Sequence, residues 1–169
     1  MDNKDYKGIP VYPHSIAYAT EHNERSACFA SLQANVACKN AIEDAIDQHY
    51  DGYSLGSEAT KQVLEQFGPD RTLYVLANTI QHRGQDGRVS RGNVEWANTV
   101  PILEGKDAFG NDMSLSFSAG NCHAGLLNSF TTTARKECEP RKQSIRAQLA
   151  VKPEQKRHRE VKSHEMEAR

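Results

Sequence analysis

A cysteine and a histidine stand side by side at Cys122 and His123, and this pair comes nearest to a catalytic centre. Asn121 precedes them and predicts a helix that begins at Cys122, where exposed backbone N–H groups would stabilise a nucleophilic thiolate. Neighbouring side chains on a helix diverge by about 100°, so His123 is a poor base for that thiol. We therefore expect a small buried thiol beside a surface histidine, with catalysis by Cys122 as the least favoured alternative.

Other catalytic chemistries lack their motifs. The seven histidines form no His-x-x-x-His pair, and none lies near two cysteines at zinc-finger spacing. Phosphate-binding loops, Gly-x-Gly-x-x-Gly segments and Gly-x-Ser-x-Gly elbows do not occur in the sequence. The adjacent carboxylates Glu43 and Asp44 diverge on a predicted helix. The sequence therefore predicts a protein that is not an enzyme and that holds no metal and no cofactor.

The segment DGRVSRGNVEWA, residues 86–97, combines a polar turn, two arginines and the single tryptophan of the chain. Arginine and tryptophan together are typical of binding hot spots, and arginines also contact phosphates. The opposing interpretation is a scaffold, in which Trp96 belongs to the core and Arg88 pairs with Asp86. On the binding interpretation the contact residues are Arg83, Asp86, Arg88, Arg91, Asn93 and Trp96.

Basic clusters recur over residues 136–169 and predict a second contact region. Such clusters can follow a DNA or RNA backbone, with an affinity that falls steeply as salt rises. Six interleaved glutamates weaken this interpretation, and base stacking is not available because no aromatic residue follows Phe130. The predicted contact residues of this region are Arg141, Lys142, Lys156, Arg157 and Arg159.

Charge is distributed unevenly along the 169 residues, although the net charge is −1. Residues 1–134 carry 10 Lys and Arg against 16 Asp and Glu, whereas residues 135–169 carry 11 against 6. An acidic body joined to a basic tail favours a charged macromolecular partner, with two merely solvated surfaces as the alternative.

The sequence also bears on location. No run of eighteen apolar residues and no signal-like start occur, so we predict a cytoplasmic protein without membrane contact. Cys28 and Cys38 lie on one predicted helix about 15 Å apart, which predicts reduced thiols rather than a disulfide.

Apolar spacing of three and four predicts several consecutive helices. The predicted spans are about 15–22, 24–50, 57–67, 69–83, 90–100 and 122–137, with Ser57, Ser90 and Asn121 as N-caps. The longest helix has one predicted apolar stripe, which comprises Cys28, Phe29, Leu32, Val36, Ile42, Ala45 and Ile46. Asn35 is expected at the border of this stripe, with a buried hydrogen-bonding role as the alternative.

Alternation replaces helical spacing beyond Pro101. Met113, Leu115 and Phe117 are apolar between serines, which predicts a half-buried strand paired with PILEG in a hairpin near 102–118. The predicted fold class is mainly α with a small antiparallel β-hairpin (α+β), with a compact helical core. We expect one globular domain over residues 1–135, followed by a charged, helical or mobile C-terminal tail over 136–169.

Five segments in order resemble an uncharacterised bacterial family found on phages and other mobile elements of gut anaerobes. They are IPVYPHSIAYA, SLQANVACKNAIEDAI, FGPDRTLYVLANTIQ, DGRVSRGNVEWA and CHAGLLNSF, within about residues 8–135. The resemblance implies a domain of unknown function without assigned catalytic residues. One departure is Ala124, which stands where the family pattern has a proline at the start of the last core helix.

The mobile-element context that this resemblance implies favours two functions. The first is a non-enzymatic inhibitor of host defence nucleoproteins, of the anti-CRISPR type, whose partner is a host protein or ribonucleoprotein such as a CRISPR effector nuclease. The alternative is a nucleic-acid-binding accessory protein of element transfer or replication, which contacts DNA or RNA through its arginines and its basic tail.

Overall fold

Six α-helices dominate the part of the chain that this computed structural model describes, which comprises residues 5–83, 86–102, 104–106, 112–114, 119 and 121–139. The helices are α1 (Ile16–Glu21), α2 (Arg25–His49), α3 (Ser57–Phe67), α4 (Pro69–Arg83), α5 (Arg91–Ala97) and α6 (Ala124–Cys138). The prediction of a mainly helical protein is confirmed.

Helix α4 lies at the centre of the helical core, where it packs against α2, α3, α5 and α6. Nine of its 15 residues are buried, so the helix is enclosed on nearly all sides. The side chains of Thr72, Asn78 and Thr79 each donate to the carbonyl one turn earlier at 2.8 Å. These bonds allow polar residues to occupy the interior of the fold.

A buried arginine connects three segments of the core. Arg71 on α4 is 2% exposed, and its guanidinium donates to Ser31 O (3.0 Å), to Asn35 Oδ1 and to Ile9 O (2.7 Å). The Oγ of Ser31 also accepts from the Tyr12 backbone N–H at 2.9 Å. Arg71 thus ties α2 and the segment before α1 to the central helix.

This arginine overturns two predictions about α2. Asn35 is fully buried, so the border position is wrong and the buried hydrogen-bonding role is confirmed. Because α2 turns Ser31 and Asn35 towards Arg71, its buried stripe is rotated from the apolar pattern. Phe29 and Val36 are 44% and 48% exposed, and their predicted place in the buried stripe is also wrong.

The start of α3 differs from its prediction. Gly56 occupies the N-cap position of α3 without a side-chain bond, so Ser57 is the first helical residue and not the predicted cap. Gly68 ends α3 as predicted, with φ at 79°, a conformation that glycine adopts without steric cost. Pro69 then occupies the first position of α4, where its missing N–H is not needed.

Two short strands follow α5. Strand β1 (Glu104–Lys106) pairs antiparallel with β2 (Asp112–Ser114), with Gly105 opposite Met113. Leu115 and Phe117 lie outside the described residues, so the predicted half-buried hairpin over 102–118 stays a prediction.

The predicted boundary between domain and tail is also untested. Helix α6 extends to Cys138, and residues 140–169 lie outside the described residues. Within the described part of the chain, no helix combines the length and apolar character needed to cross a membrane.

Candidate functional site

The arginine corner, which we define as Arg83, Asp86, Arg88, Arg91, Trp96 and Arg135, is built by the start of α5 against α6. Ser90 caps α5 as predicted, because its Oγ accepts from the Asn93 backbone N–H at 3.4 Å. The Ser90 backbone N–H donates to Asn128 Oδ1 on α6 at 2.9 Å. The entry to α5 is therefore fixed to α6 by hydrogen bonds.

Asn93 holds the two helices together. Its Nδ2 donates to Asn128 Oδ1 at 2.8 Å and to Thr132 Oγ1 at 3.0 Å, and its Oδ1 accepts from Arg135 Nη1 at 2.8 Å. The side chain is buried and both ends of its amide are occupied. Asn93 is thus a structural residue that offers no free group to a partner, and we omit it from the corner.

Trp96 is both part of the core and partly accessible, so it has features of the scaffold and of the binding interpretation. The half-buried indole packs against the hydrophobic core, and the Arg135 guanidinium lies 4.9 Å from its ring centroid. A guanidinium over an indole face is a favourable cation–π contact. Sequence reasoning missed Arg135, although Asn128, Thr132 and Arg135 share one face of α6 by their spacing.

Arg88 and Asp86 form a two-bonded ion pair, with Nε–Oδ1 at 2.9 Å and Nη2–Oδ2 at 2.7 Å. The hydrogen bonds from Arg88 lower the pKa of Asp86 to about 2. Both groups are therefore charged at neutral pH, and the guanidinium is held in one orientation.

The remaining edge of Arg88 faces His123. The His123 Nδ1 accepts the Gly125 backbone N–H at 3.1 Å. Arg88 Nη1 lies within hydrogen-bonding distance of the His123 Nε2, at 3.2 Å. The Arg88 side chain is 58% exposed, so its guanidinium stays accessible to an oxygen of a phosphate or carboxylate on a partner.

The other two predicted arginines differ in accessibility. Arg83 Nη1 donates to the Cys122 carbonyl at 2.7 Å and thereby joins α4 to the start of α6. The Arg91 side chain is 92% exposed and pairs only across one turn with Glu95, at 2.8 Å. Arg91 is thus the accessible cation of the corner. The tail residues Arg141, Lys142, Lys156, Arg157 and Arg159 lie outside the described residues.

The Cys122–His123 pair is arranged differently from its prediction. Helix α6 begins at Ala124, so neither the Asn121 cap nor a thiol at the first helical position is correct. His123 occupies the N-cap position of α6, because its carbonyl accepts the Leu127 N–H at 3.0 Å and its ring accepts the Gly125 N–H. Burial, together with the nearby carboxylates of Glu43 and Asp47, raises the pKa of Cys122 to about 11. The thiol is therefore neutral at pH 7.

We expect Cys122 to be alkylated by iodoacetamide at pH 7 roughly 100-fold more slowly than a thiol of ordinary pKa, since its thiolate is about 100-fold scarcer. The pKa of Cys122 is higher in the folded than in the unfolded protein. Its contribution to the free energy of unfolding is therefore fully present below about pH 9 and is lost as pH rises through about 11. Peptide mass spectrometry over time measures the rate, with the unfolded protein as reference. Equal rates in the folded and unfolded protein would contradict the burial of this thiol.

A second charged region, which we call the acidic surface, was not located by sequence reasoning. It comprises the exposed carboxylates of Asp44, Asp47, Asp51, Glu58, Glu65 and Asp70, on α2, the following loop, α3 and the start of α4. Lys61 is the single lysine or arginine between residues 44 and 70. Six carboxylates outnumber this ammonium group and that of Lys7, which lies near Gly68, so the region is negative on balance.

Metal-binding side chains do not cluster in the part of the chain that the structure describes. No group of three or more His, Cys, Asp and Glu side chains comes together there with the spacing that a metal ion needs. The four cysteines are free thiols, and Cys28, Cys38 and Cys122 are buried.

A family model described as "Protein of unknown function (DUF3849)" matches residues 11–139. The chain belongs to the DUF3849 family. Comparison with curated proteins and with solved structures gave no match. The resemblance to a domain of unknown function over about residues 8–135 is thereby confirmed, whereas its association with phages and mobile elements of gut anaerobes stays a prediction.

The extent of the DUF3849 match bears on both charged regions. The arginine corner and the acidic surface lie entirely within residues 11–139, so both belong to the family domain. The five predicted tail residues lie beyond it. Ala124 is the first residue of α6, a position that accepts proline readily.

Proposed function

We propose that this DUF3849 protein is a non-enzymatic inhibitor that binds host defence nucleoprotein machinery, with an RNA-guided Cas nuclease as its partner. The observation that carries the proposal is the acidic surface, where six exposed carboxylates outnumber the ammonium groups of Lys61 and Lys7. Such a surface resembles a nucleic-acid backbone in charge, and its natural complement is a surface built to hold phosphates.

Cas nucleases provide that complement. They hold the guide–target heteroduplex in a positively charged channel and recognise its backbone rather than its bases. Carboxylates fixed on helices can pair with the same lysines and arginines that the channel directs at phosphates. Occupation of the channel blocks target binding without any covalent step.

The arginine corner supplies a second contact in this proposal. Arg91 is exposed, and the Arg88 guanidinium, which is held by Asp86, is largely exposed as well. These groups suit a phosphate of the guide RNA or a carboxylate at the channel mouth. The corner is preorganised because Asp86 and Asn93 fix its backbone and side chains, which lowers the entropy lost on binding.

The arginine cluster also favours an alternative, a nucleic-acid-binding accessory protein of mobile-element transfer or replication. In that function Arg83, Arg88 and Arg91 contact phosphates directly, together with the basic tail. All three arginines make intramolecular bonds, to the Cys122 carbonyl, to Asp86 and to Glu95 respectively, which makes this function the second candidate.

The two functions separate in one pair of assays. Guide-loaded Cas nucleases from the host are mixed with the protein, and target DNA cleavage is followed; we expect cleavage by at least one nuclease to be blocked. Labelled DNA and RNA alone are expected to show no mobility shift at low salt. A salt-sensitive shift that Arg91→Glu abolishes, with cleavage unaffected, would instead establish the accessory function.

A further inference from the structure

A cleft of about 380 Å³ lies between the segment before α1 and the corner where α3 meets α4. One wall contains Lys7, Ile9 and Val11, and the other contains Phe67, Gly68 and Arg71. This cleft is separate from the arginine corner and from the Cys122 thiol.

The charge of Arg71 beside this cleft is not balanced within the described protein. A guanidinium stays protonated even though burial lowers its pKa. The acceptors of Arg71 within the described residues are two carbonyls, an amide oxygen and the Ser31 hydroxyl, which are all neutral. A buried cation without a counter-charge is costly and is normally paired.

Arg71 also retains unused hydrogen-bonding capacity. A guanidinium has five N–H donors, and the buried Nε of Arg71 has no partner within the described residues. Nη2 carries two hydrogens and has a single acceptor, Ile9 O. The side chain therefore has donors to spare on Nε and Nη2, and a carboxylate accepts from an arginine through two such parallel bonds.

The surroundings of the cleft favour an anion. Lys7 is a second cation in the lining, and its stem lies 4.0 Å from the position that a Cβ on Gly68 would occupy. Helix α4 begins beside it, and the first N–H groups of a helix attract negative charge. Asp70 also lines the cleft, but it is exposed and accepts none of the Arg71 hydrogen bonds described above.

We propose that this cleft binds a carboxylate group, which pairs with Arg71 and is covered by the Lys7 ammonium. The carboxylate is that of a small organic acid or of a peptide C-terminus, since both present the same two oxygens. Binding neutralises the buried guanidinium.

The test follows the Nε–H resonance of Arg71 by NMR in the full-length protein, titrated with acetate and, at equal ionic strength, with chloride. We expect a saturable shift with acetate alone. Lys7→Gln should weaken acetate binding by roughly fivefold, the range of one exposed charge pair, whereas the matched variant Lys61→Gln changes it less than twofold. A short peptide with a free C-terminus is compared with acetate, to show which carboxylate source binds more tightly. The amidated form of the same peptide is its control.

Three outcomes would overturn the proposal. The first is equal displacement of the Nε–H resonance by acetate and chloride, and the second is unchanged acetate affinity in Lys7→Gln. The third is tighter binding of inorganic phosphate than of every carboxylate probe. None of these outcomes bears on Cas nuclease inhibition, which is measured separately.

Discussion

Replacing Arg71 with methionine is expected to destabilise the folded protein by about 3 kcal/mol. The methionine is similar in length but donates no hydrogen bond, so the buried Asn35 Oδ1 loses its Arg71 donor, as does the part-buried Ile9 O. Each orphaned acceptor costs about 1–3 kcal/mol, and the relief from burying a charge offsets part of that loss. Urea denaturation monitored by circular dichroism measures the free energy of unfolding.

Arg91→Met is the matched control for this prediction. The Arg91 side chain is 92% exposed and makes one ion pair across a helical turn, so its loss should cost less than about 0.5 kcal/mol. Equal effects of the two substitutions, or a stabilised Arg71→Met variant, would show that the buried guanidinium does not hold the core together.

Charge reversal on the acidic surface is expected to have the largest effect on partner binding. Asp44→Lys combined with Asp47→Lys places two cations opposite a basic channel, and like charges across an interface cost several kcal/mol. We expect affinity for the Cas nuclease to fall at least about 100-fold, which corresponds to about 2.8 kcal/mol. Both residues are exposed on α2, so the thermal unfolding midpoint should change little.

Asp44→Glu with Asp47→Glu is the control at the same two positions. It retains the charge and changes only the length of each side chain, and the affinity should stay within threefold of the original. If reversal leaves affinity intact, the acidic surface is not the binding surface. If the glutamate variant loses affinity equally, shape rather than charge determines recognition.

Local signals in the sequence were sufficient for much of the helical framework. Helix α4 spans the predicted residues because Gly68 and Pro69 mark its start, and Ser90 caps α5 through its own side chain. These features depend on residues adjacent in sequence, so a single chain reveals them. The ion pair between Asp86 and Arg88 was foreseen as the scaffold alternative for the same reason.

Features that depend on long-range contacts were predicted less well. Asn35 and Ser31 are buried because they accept hydrogen bonds from Arg71, which is 36 and 40 residues away along the chain. No local pattern in α2 indicates these contacts. Their burial in turn exposes Phe29 and Val36, which sequence periodicity assigned to the core. Helix α6 begins two residues later than predicted because the His123 ring caps it, a role more typical of Ser, Thr, Asp or Asn.

The candidate surfaces also combine features that local sequence predicts with features that depend on long-range packing. Arginines and a tryptophan identified the corner from composition, but Asn93 proved to be a buried connector and Arg135 was missed, because both depend on the packing of α5 on α6. The acidic surface gathers carboxylates from α2, α3 and α4, and only the packed helices bring these segments close together.

The stoichiometry of inhibition tests most directly the claim that this protein acts by binding and not by turnover. A fixed amount of guide-loaded Cas nuclease is titrated with the protein, and residual target cleavage is measured after short and long preincubation. We predict a linear fall to zero near equimolar protein, independent of preincubation time, with nuclease and guide of unchanged mass. Complete inactivation by a small fraction of an equivalent, increasing with time and leaving a chemically altered nuclease or guide, would contradict the claim.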